Sequence, residues 1–411
     1  MPILSALTSF VPAGKGGEFV NRARLTLFSK ILAKIQVGRL DLTFPDHTVV
    51  AFGDAAAKPR ASLQLRSWRT IDRILMNGEI GFAEAYADGE CRTNDLAALF
   101  DLIIANETAI SDSLSGSIPV KLANRLRHLL NKNTKRGSRA NISFHYDLGN
   151  DFYRAWLDPT MTYSAALFDS SKTDLTSAQI AKYRHICTAL NVRPGDSILE
   201  IGCGWGGFAE IAAREFGANV HGITLSKEQF GYAQKRNTDA GLAERVSVSL
   251  IDYRDVDGEY DHVVSIEMFE AVGQVYWKTF FGCLRSLLKP GGKVFLQIIT
   301  IDDRRFESYA AQPDFIQRFI FPGGMLPSPE RLQTLFREAN LTPLTVQYAG
   351  KDYLRTLTLW RNAFLSAWPH IAEQGFDIRF KRLWTYYLQY CEAGFQHRTI
   401  DLGRFVLVKP R

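Results

Sequence analysis

A glycine-rich loop between a strand and a helix is the feature of this sequence that most restricts its fold. The apolar segment Ser197–Ile201 runs directly into Gly202-Cys203-Gly204-Trp205-Gly206-Gly207, and an amphipathic segment follows. Glycines let the backbone approach a ligand closely, and the first N–H groups of a helix remain available to that ligand. This order of elements predicts a nucleotide-type site at one edge of a parallel sheet.

The pattern around the loop extends over the second half of the chain. Helices are predicted at residues 177–190, 208–216, 227–239 and 276–288, and strands at 197–201, 219–224, 246–251, 260–266 and 292–299. Regular alternation of helix and strand is typical of a doubly wound, mostly parallel sheet. The fold class predicted for this region is therefore α/β.

The position of acidic residues separates two kinds of nucleotide site. The glycines at 202, 204 and 207 also fit the dinucleotide pattern GxGxxG, but a dinucleotide-binding enzyme needs an acidic residue at the end of its second strand. That strand ends here in TLS at residues 224–226, whereas Glu200 lies two residues before the loop. A dehydrogenase is therefore the weaker alternative.

Several segments instead match one family of methyltransferases. LEIGCGWGG (199–207) resembles motif I of class I S-adenosylmethionine-dependent methyltransferases, and KPGG (289–292) is a further mark of them. In chain order the full set is HYDLGNDFYRAWLDPTMTYS (145–164), LEIGCGWGG, ITLSKEQ (223–229), DYRD (252–255), MFEAVG (268–273), FIFPGGMLPS (319–328), DYLRTL (352–357) and RFKRLWTYYLQYCEAGF (379–395). Together they closely resemble cyclopropane-fatty-acyl-phospholipid synthases, and mycolic acid methyltransferases share the catalytic part.

The resemblance covers residues 141–411 and implies a fold, a cofactor and a reaction. The fold is the class I methyltransferase Rossmann-like doubly wound sheet, and the cofactor is S-adenosyl-L-methionine. The reaction is methyl transfer to the double bond of an unsaturated acyl chain of a membrane phospholipid. Its product is a cyclopropane or a methyl-branched or methylated unsaturated fatty acid.

The resemblance also implies which residues bind the cofactor. Gly202 and Gly204 would lie under the methionine part, and Tyr253 and Arg254 would cover the adenine. The complete set is Tyr163, Ser164, Glu200, Gly202, Gly204, Thr224, Leu225, Gln229, Asp252, Tyr253 and Arg254.

The match breaks down at the residues that hold a bicarbonate ion in cyclopropane synthases. There the ion acts as the base, and Cys, Glu, His and Tyr side chains with a backbone amide hold it. Glu270 and Tyr353 match the glutamate and the tyrosine, but Ala165 stands at the cysteine position and Gln297 at the histidine position. The use of bicarbonate by this chain is therefore doubtful.

Glu267 adds a carboxylate where the family usually has glycine. It is either a surface acid or a replacement for the anion as base, and the predicted catalytic set is Glu267, Glu270, Gln297 and Tyr353. Cyclopropane formation and methyl branching both stay open. A small-molecule N-methyltransferase of the same family, which needs no carbocation base, is the main alternative, and a non-catalytic lipid-binding protein is another.

The first 140 residues have a different pattern. Residues 1–110 predict a small α+β domain, with helical spacing over 19–35, strand-like alternation over 40–50 and 61–66, and no clear period over 71–88. This domain resembles, more loosely, the lipid-binding domain of bacterial family members. Residues 111–140 hold seven basic residues and one acid and predict a linker with a short helix at 120–130. The linker is either solvated or in contact with an anionic membrane surface.

Charge and cysteine content set the remaining expectations. The net charge of +6 favours an anionic partner, and no nucleic-acid motif accompanies it. Five widely spaced cysteines without a CxxC pair argue against a metal site and suit a reducing cytosol. No apolar run reaches the ~18 residues needed to span a bilayer. We expect a cytoplasmic enzyme, peripheral to the inner membrane face, with no nucleic acid partner; a homodimer is left open.

Overall fold

The computed structural model describes residues 18–114, 148–169 and 174–411. The chain divides into two compact units. The first contains the described residues up to 114 together with Phe376–Ala393, and the second contains 148–169, 174–375 and Gly394–Arg411. The predicted helix at 120–130 and the basic residues of the linker lie outside the described residues. The segment Phe376–Ala393 belongs to the first unit. The family resemblance, which covers residues 141–411, includes this segment as well as the second unit.

The first unit is an α+β arrangement on a four-stranded sheet. Its helices are α1 (Glu18–Leu32), α2 (Arg69–Ala87), α3 (Leu96–Ala105) and α4 (Glu107–Leu114), and its strands are β1 (Arg39–Thr43), β2 (Val49–Gly53), β3 (Arg60–Leu65) and β4 (Cys91–Arg92). The strand order is β2-β1-β3-β4, in which β1 and β3 are parallel and the other pairs are antiparallel. Alternate side chains of β1, Leu40 and Leu42, are buried, as the period of two predicts.

Helix α2 explains why residues 71–88 show no clear period. Gly78 interrupts the helix with φ 57° and ψ −130°, a conformation that glycine adopts without steric cost. The two helical segments on either side therefore present their apolar residues in different directions. A single 3.6-residue period cannot fit both.

The second unit has a seven-stranded sheet with helices between its strands. Its strands are β5 (Ser197–Ile201), β6 (Asn219–Ile223), β7 (Val246–Ser249), β8 (Tyr260–Ile266), β9 (Leu288–Ile301), β10 (Thr342–Tyr348) and β11 (Ile400–Val408). Its helices are α5 (Asn150–Arg154), α6 (Leu175–Leu190), α7 (Gly207–Phe216), α8 (Lys227–Asp239), α9 (Trp277–Ser286), α10 (Asp303–Ala311), α11 (Phe315–Phe319), α12 (Pro329–Glu338) and α13 (Gly350–Glu373). Helix α14 (Ile378–Gln396) falls mostly in the first unit.

The strand order of this sheet is β10-β11-β9-β8-β5-β6-β7. Strand β11 is antiparallel to both of its neighbours, and the other adjacent strands are parallel. The predicted α/β doubly wound fold is confirmed. Strands β10 and β11 were not predicted, and β9 is longer than expected because KPGG is part of it.

Apolar clusters cover both faces of the sheet. Ile198 belongs to the cluster that includes Phe208, whereas its neighbour Leu199 belongs to the cluster that includes Phe280. A strand buried on both faces reads as a continuous apolar run, which is why SILEI shows no alternation. Glu200, Thr224 and Glu267 lie at or directly after the carboxyl ends of β5, β6 and β8.

Two kinds of feature are absent from the parts of the chain that the structure describes. None of the helices there combines the length and the apolar character needed to cross a membrane. Nor do His, Cys, Asp and Glu side chains group there in a way that could hold a metal ion.

Candidate active site

Two glycines of the loop after β5 have different structural tasks. Both have positive φ, 83° at Gly202 and 52° at Gly204. A Cβ atom on Gly202 would lie 2.8 Å from the Cγ atom of Met268, so packing within the protein requires this glycine. A Cβ atom on Gly204 would meet no described atom within 4 Å. Gly204 therefore borders space into which a ligand can approach the backbone.

Buried polar atoms at the same edge also fit a polar ligand. Glu200 is 3% exposed, and its Oε2 atom has no hydrogen-bond partner among the described residues; the same holds for the hydroxyl of Tyr253. Burial raises the pKa of Glu200 well above its usual value. Buried polar atoms are normally hydrogen-bonded, so these two atoms suit a cofactor that carries polar groups.

The ends of β6 and β7 hold the next predicted residues in place. Thr224 Oγ1 donates to Gln229 Oε1, in the first turn of α8, at 2.9 Å. Leu225, the residue after Thr224, is half-buried. After β7, the Arg254 guanidinium donates twice to the Asp252 carboxylate, at 2.7 and 2.6 Å. The same guanidinium lies 5.3 Å from the ring centroid of Tyr253.

Ser164 and Tyr163 precede the sheet in sequence and depend on two other elements. The ring of Tyr163 packs against the rings of Trp156 and Trp360, with centroid distances of 5.6 and 5.1 Å. Ser164 Oγ accepts a hydrogen bond from Lys182 Nζ of α6 at 2.5 Å. These contacts fix where the two predicted cofactor residues lie.

Lys182 is a site residue that sequence reasoning missed. It is fully buried, and burial lowers the pKa of its amine to about 7, although the charge of Glu267 acts in the opposite direction. The signal was present in the sequence, because Lys182 lies four residues from both Ala178 and Ile186 on a buried face of α6. A lysine in such a position is almost never buried without a partner.

The carboxylate of Glu267 is the centre of the second part of the site. Its Oε1 atom accepts hydrogen bonds from the Ala165 backbone N–H at 2.8 Å and from Gln297 Nε2 at 2.7 Å. Its Oε2 atom accepts one from the Tyr353 hydroxyl at 2.6 Å. We call this group, formed by Glu267 and its three donors, the Glu267 cluster. Glu267 is therefore not a solvated surface acid, which was one of the two options from the sequence.

The backbone at Glu267 supports a functional role for this residue. Its φ is 49°, in the left-handed region that glycine adopts easily and other residues rarely adopt. Such conformations cost about 1–3 kcal/mol and are concentrated at functional sites. The turn after β8 therefore holds a strained residue whose side chain has three hydrogen-bond donors.

Glu270 has a less favourable environment for a charge. Its Oε1 atom accepts from the Ile299 backbone N–H at 2.5 Å, while Oε2 has no partner among the described residues. Burial and the nearby charge of Glu267 raise the pKa of Glu270 to about 8. Burial also raises the pKa of Glu267, but Lys182, Tyr353, Gln297 and the Ala165 amide act to lower it. Of the two carboxyl groups, Glu267 thus has more partners that stabilise its ionised form.

A further layer of side chains lies behind Gln297. Its Oε1 atom accepts from Arg404 Nε at 3.0 Å, and Arg404 also donates to Asp352 Oδ2 at 3.0 Å. Arg404 lies directly opposite Gln297 in the β9–β11 ladder. Sequence reasoning missed Arg404 and Asp352 because β11 was not predicted. An arginine within the apolar run of β11 was the signal available.

Comparisons with known proteins point to one family. The family described as mycolic acid cyclopropane synthetase matches residues 133–405. A tuberculostearic acid methyltransferase of Mycobacterium tuberculosis is 36% identical over 403 residues, which cover 95% of this chain and 94% of the relative. The cyclopropane-fatty-acyl-phospholipid synthase of Escherichia coli is 35% identical over 350 residues, which cover 84% of this chain and 87% of the relative.

A solved structure leads to the same family. The crystal structure of a mycolic acid cyclopropane synthase complexed with SAH and CTAB is similar with a TM-score of 0.62 and 32% identity, and covers 66% of this chain and 98% of that chain. The match to the family and the identity over nearly the whole chain leave one assignment. This chain belongs to the mycolic acid cyclopropane synthetase family of S-adenosylmethionine-dependent methyltransferases.

Proposed function

We propose that this enzyme transfers a methyl group to the double bond of an unsaturated acyl chain of a membrane phospholipid, and that Glu267 is the base that completes the reaction. The observation that carries this proposal is the Glu267 carboxylate with its three donors. The names of two relatives, a tuberculostearic acid methyltransferase and a cyclopropane-fatty-acyl-phospholipid synthase, support an acyl substrate.

The proposed cofactor is S-adenosyl-L-methionine, which supplies an electrophilic methyl group when it is bound. The space at Gly204 and the unpartnered atoms of Glu200 and Tyr253 suit such a polar ligand, and a related crystal structure holds SAH. In this chain Ser164, Gly204, Thr224, Gln229 and Arg254 would complete its binding site.

An acyl double bond that gains a methyl group becomes a carbocation and must lose a proton to give a neutral product. We assign the removal of that proton to Glu267. The C–H bond breaks, its electron pair closes a cyclopropane or forms a new double bond, and the carboxylate takes the proton. A base that is held in place in a site with little water is effective in such a step. Both products need this step, so the choice between a ring and a methyl branch stays open.

Bicarbonate has no role in this proposal. In the family pattern a backbone amide and a tyrosine hold that ion, and here the Ala165 amide and Tyr353 donate to Glu267 instead. A protein carboxylate in contact with these donors supplies the same kind of base. The rate should therefore not depend on added bicarbonate.

We further propose that the enzyme docks on the inner face of an anionic membrane. The basis is the basic stretch of the linker, whose seven lysines and arginines lie outside the described residues. Each basic residue near such a surface contributes about 1 kcal/mol. Charge reversal at Lys132, Lys135, Arg136 and Arg139 should weaken sedimentation with anionic vesicles, most at low salt. Unchanged sedimentation would contradict the role of the linker.

The central test uses the purified enzyme, labelled S-adenosylmethionine and phospholipid vesicles. Vesicles with cis-monounsaturated chains should gain label in the acyl chains, whereas matched vesicles with saturated chains should not. Mass spectrometry of the fatty acid methyl esters should show a gain of one CH2 group. Transfer of label to amines without vesicles, and none to acyl chains, would contradict the proposal and favour an N-methyltransferase.

A further inference from the structure

We propose that Arg404 is a positioning residue that fixes the orientation of the Gln297 amide, so that its NH2 group faces Glu267. This inference rests on the proposed role of Glu267 as base and names a residue on which that role depends. Arg404 donates to the oxygen of the Gln297 amide, and the NH2 group of that amide donates to Glu267. Arg404 therefore acts on Glu267 through Gln297.

The hydrogen bonds of Gln297 are consistent with only one orientation of its amide. The NH2 group has two acceptors, Glu267 Oε1 at 2.7 Å and the Ala165 carbonyl at 3.2 Å. The oxygen faces Arg404 Nε at 3.0 Å. Arginine can donate hydrogen bonds but cannot accept them. A flipped amide would therefore place NH2 against a donor and oxygen against a carboxylate.

Arg404 is itself held in place. It is 5% exposed and donates to Asp352 Oδ2 and to the Ala166 carbonyl, both at 3.0 Å. It also pairs directly with Gln297 in the antiparallel ladder between β9 and β11, which places the two side chains on the same face of the sheet. The guanidinium is thus fixed at the point where it meets the amide oxygen.

The consequence concerns the charge of Glu267. When Arg404 is removed, the amide oxygen loses the donor that holds it, so the NH2 group is no longer fixed against the carboxylate; the weaker hydrogen bond disfavours the ionised form. The other groups that face Glu267 are Lys182, which favours its charge, Glu270, which opposes it, and the donating Tyr353. The guanidinium of Arg404 also interacts with Glu267 through its charge. A test must therefore separate orientation from charge.

The experiment measures the pH dependence of kcat for methyl transfer to unsaturated vesicles. A base is active when ionised, so its activity is lost as the pH falls, and a disfavoured charge moves that loss to higher pH. For R404M we expect the ratio of variant to wild-type kcat to be about tenfold lower at pH 6 than at pH 8, the size of one lost hydrogen bond to a charged group. R404K can still donate to the amide oxygen and should restore most of the wild-type profile.

The Q297L variant serves as a second background, which separates an effect of amide orientation from an effect of the charge of Arg404. In Q297L there is no amide to orient and only the charge of Arg404 can act, so R404M should shift the pH profile much less in Q297L than in the wild type. If the two shifts are equal, Arg404 acts by its charge and the inference is wrong. The inference is also wrong if R404M in the wild-type background keeps the wild-type profile.

Two controls address a nonspecific effect of removing a cation and a failure of R404M to fold. Lys293 lies four residues before Gln297 on β9 and donates to the Leu190 carbonyl at 3.1 Å, so K293M should leave the profile unchanged. If R404M does not fold, D352N/R404M, which removes both members of the ion pair, takes its place, with D352N as its reference. An inactive wild type would contradict the proposed function itself, whereas an active wild type with unshifted variants would contradict only this inference.

Discussion

The glycine loop and the Glu267 cluster lie at the same edge of one sheet, but the chain builds them in different ways. Gly202 and Gly204 come from one short segment, and their positions follow directly from the strand and helix that flank them. The Glu267 cluster takes its members from four distant parts of the chain, at residues 165, 267, 297 and 353. The glycine loop is thus a local motif, whereas the Glu267 cluster depends on tertiary structure.

This comparison predicts that the two regions can be disabled separately, and Glu267→Gln should have the largest effect. The amide keeps the size of the side chain but cannot accept the proton. Turnover should fall by a factor on the order of 100 to 10 000, which is typical of a lost general base. Affinity for S-adenosylmethionine, measured by calorimetry, should be unchanged. A variant that retains full turnover would remove Glu267 from the mechanism.

Gly204→Asp should disable the other region. The new side chain would enter the space at the loop, and φ of 52° is unfavourable for a residue with a Cβ atom. We expect affinity for S-adenosylmethionine to fall by roughly 100-fold or more, about 3 kcal/mol. A Cβ atom on Gly231, in α8, would likewise meet no described atom within 4 Å, so Gly231→Ala is the matched control and should bind normally.

Tyr353→Phe tests one contact within the Glu267 cluster. It removes the hydroxyl that donates to Glu267 Oε2 and leaves the ring. A hydrogen bond to a charged group contributes about 1.5–3 kcal/mol, so kcat should fall roughly 10- to 100-fold. Cofactor affinity should be unchanged. Equal losses of kcat and of cofactor affinity would show that the two regions are not separate.

Although Glu270 belongs to the predicted catalytic set, its raised pKa keeps it largely protonated at neutral pH. Glu270→Gln should therefore have the smallest effect on function of these variants and a clear effect on stability. The folded protein raises the pKa of Glu270 to about 8, so it binds a proton that the unfolded chain has released. Its contribution to stability is present below the usual pKa of glutamate and is lost as the pH rises through 8. The variant should therefore be more stable than the wild type at pH 8, by on the order of 1–3 kcal/mol, but not at pH 4. Urea unfolding of the variant and the wild type at pH 4 and pH 8 measures this difference in the free energy of unfolding. The same difference at both pH values would contradict the prediction.

The loop and the order of secondary structure could be read from the sequence because both depend on local interactions. Continuous apolar runs predicted strands such as Ser197–Ile201, and their burial on both faces agrees with a parallel sheet. Predicted boundaries differ by a few residues where a side chain caps a helix. Helix α6 begins at Leu175, two residues before its predicted start, because Asp174 accepts a hydrogen bond from the Ser177 N–H.

The Glu267 cluster shows what only the tertiary structure decided. The sequence identified Glu267, Glu270, Gln297 and Tyr353 as candidates, but left open whether Glu267 faces solvent or the site. Its role depends on distances between segments up to 188 positions apart, from residue 165 to residue 353. The sequence marks Lys182 and Arg404 as cations within apolar patterns, but it does not show their partners. The fold places each beside groups that make its burial tolerable, Ser164 for Lys182 and Asp352 with Gln297 for Arg404.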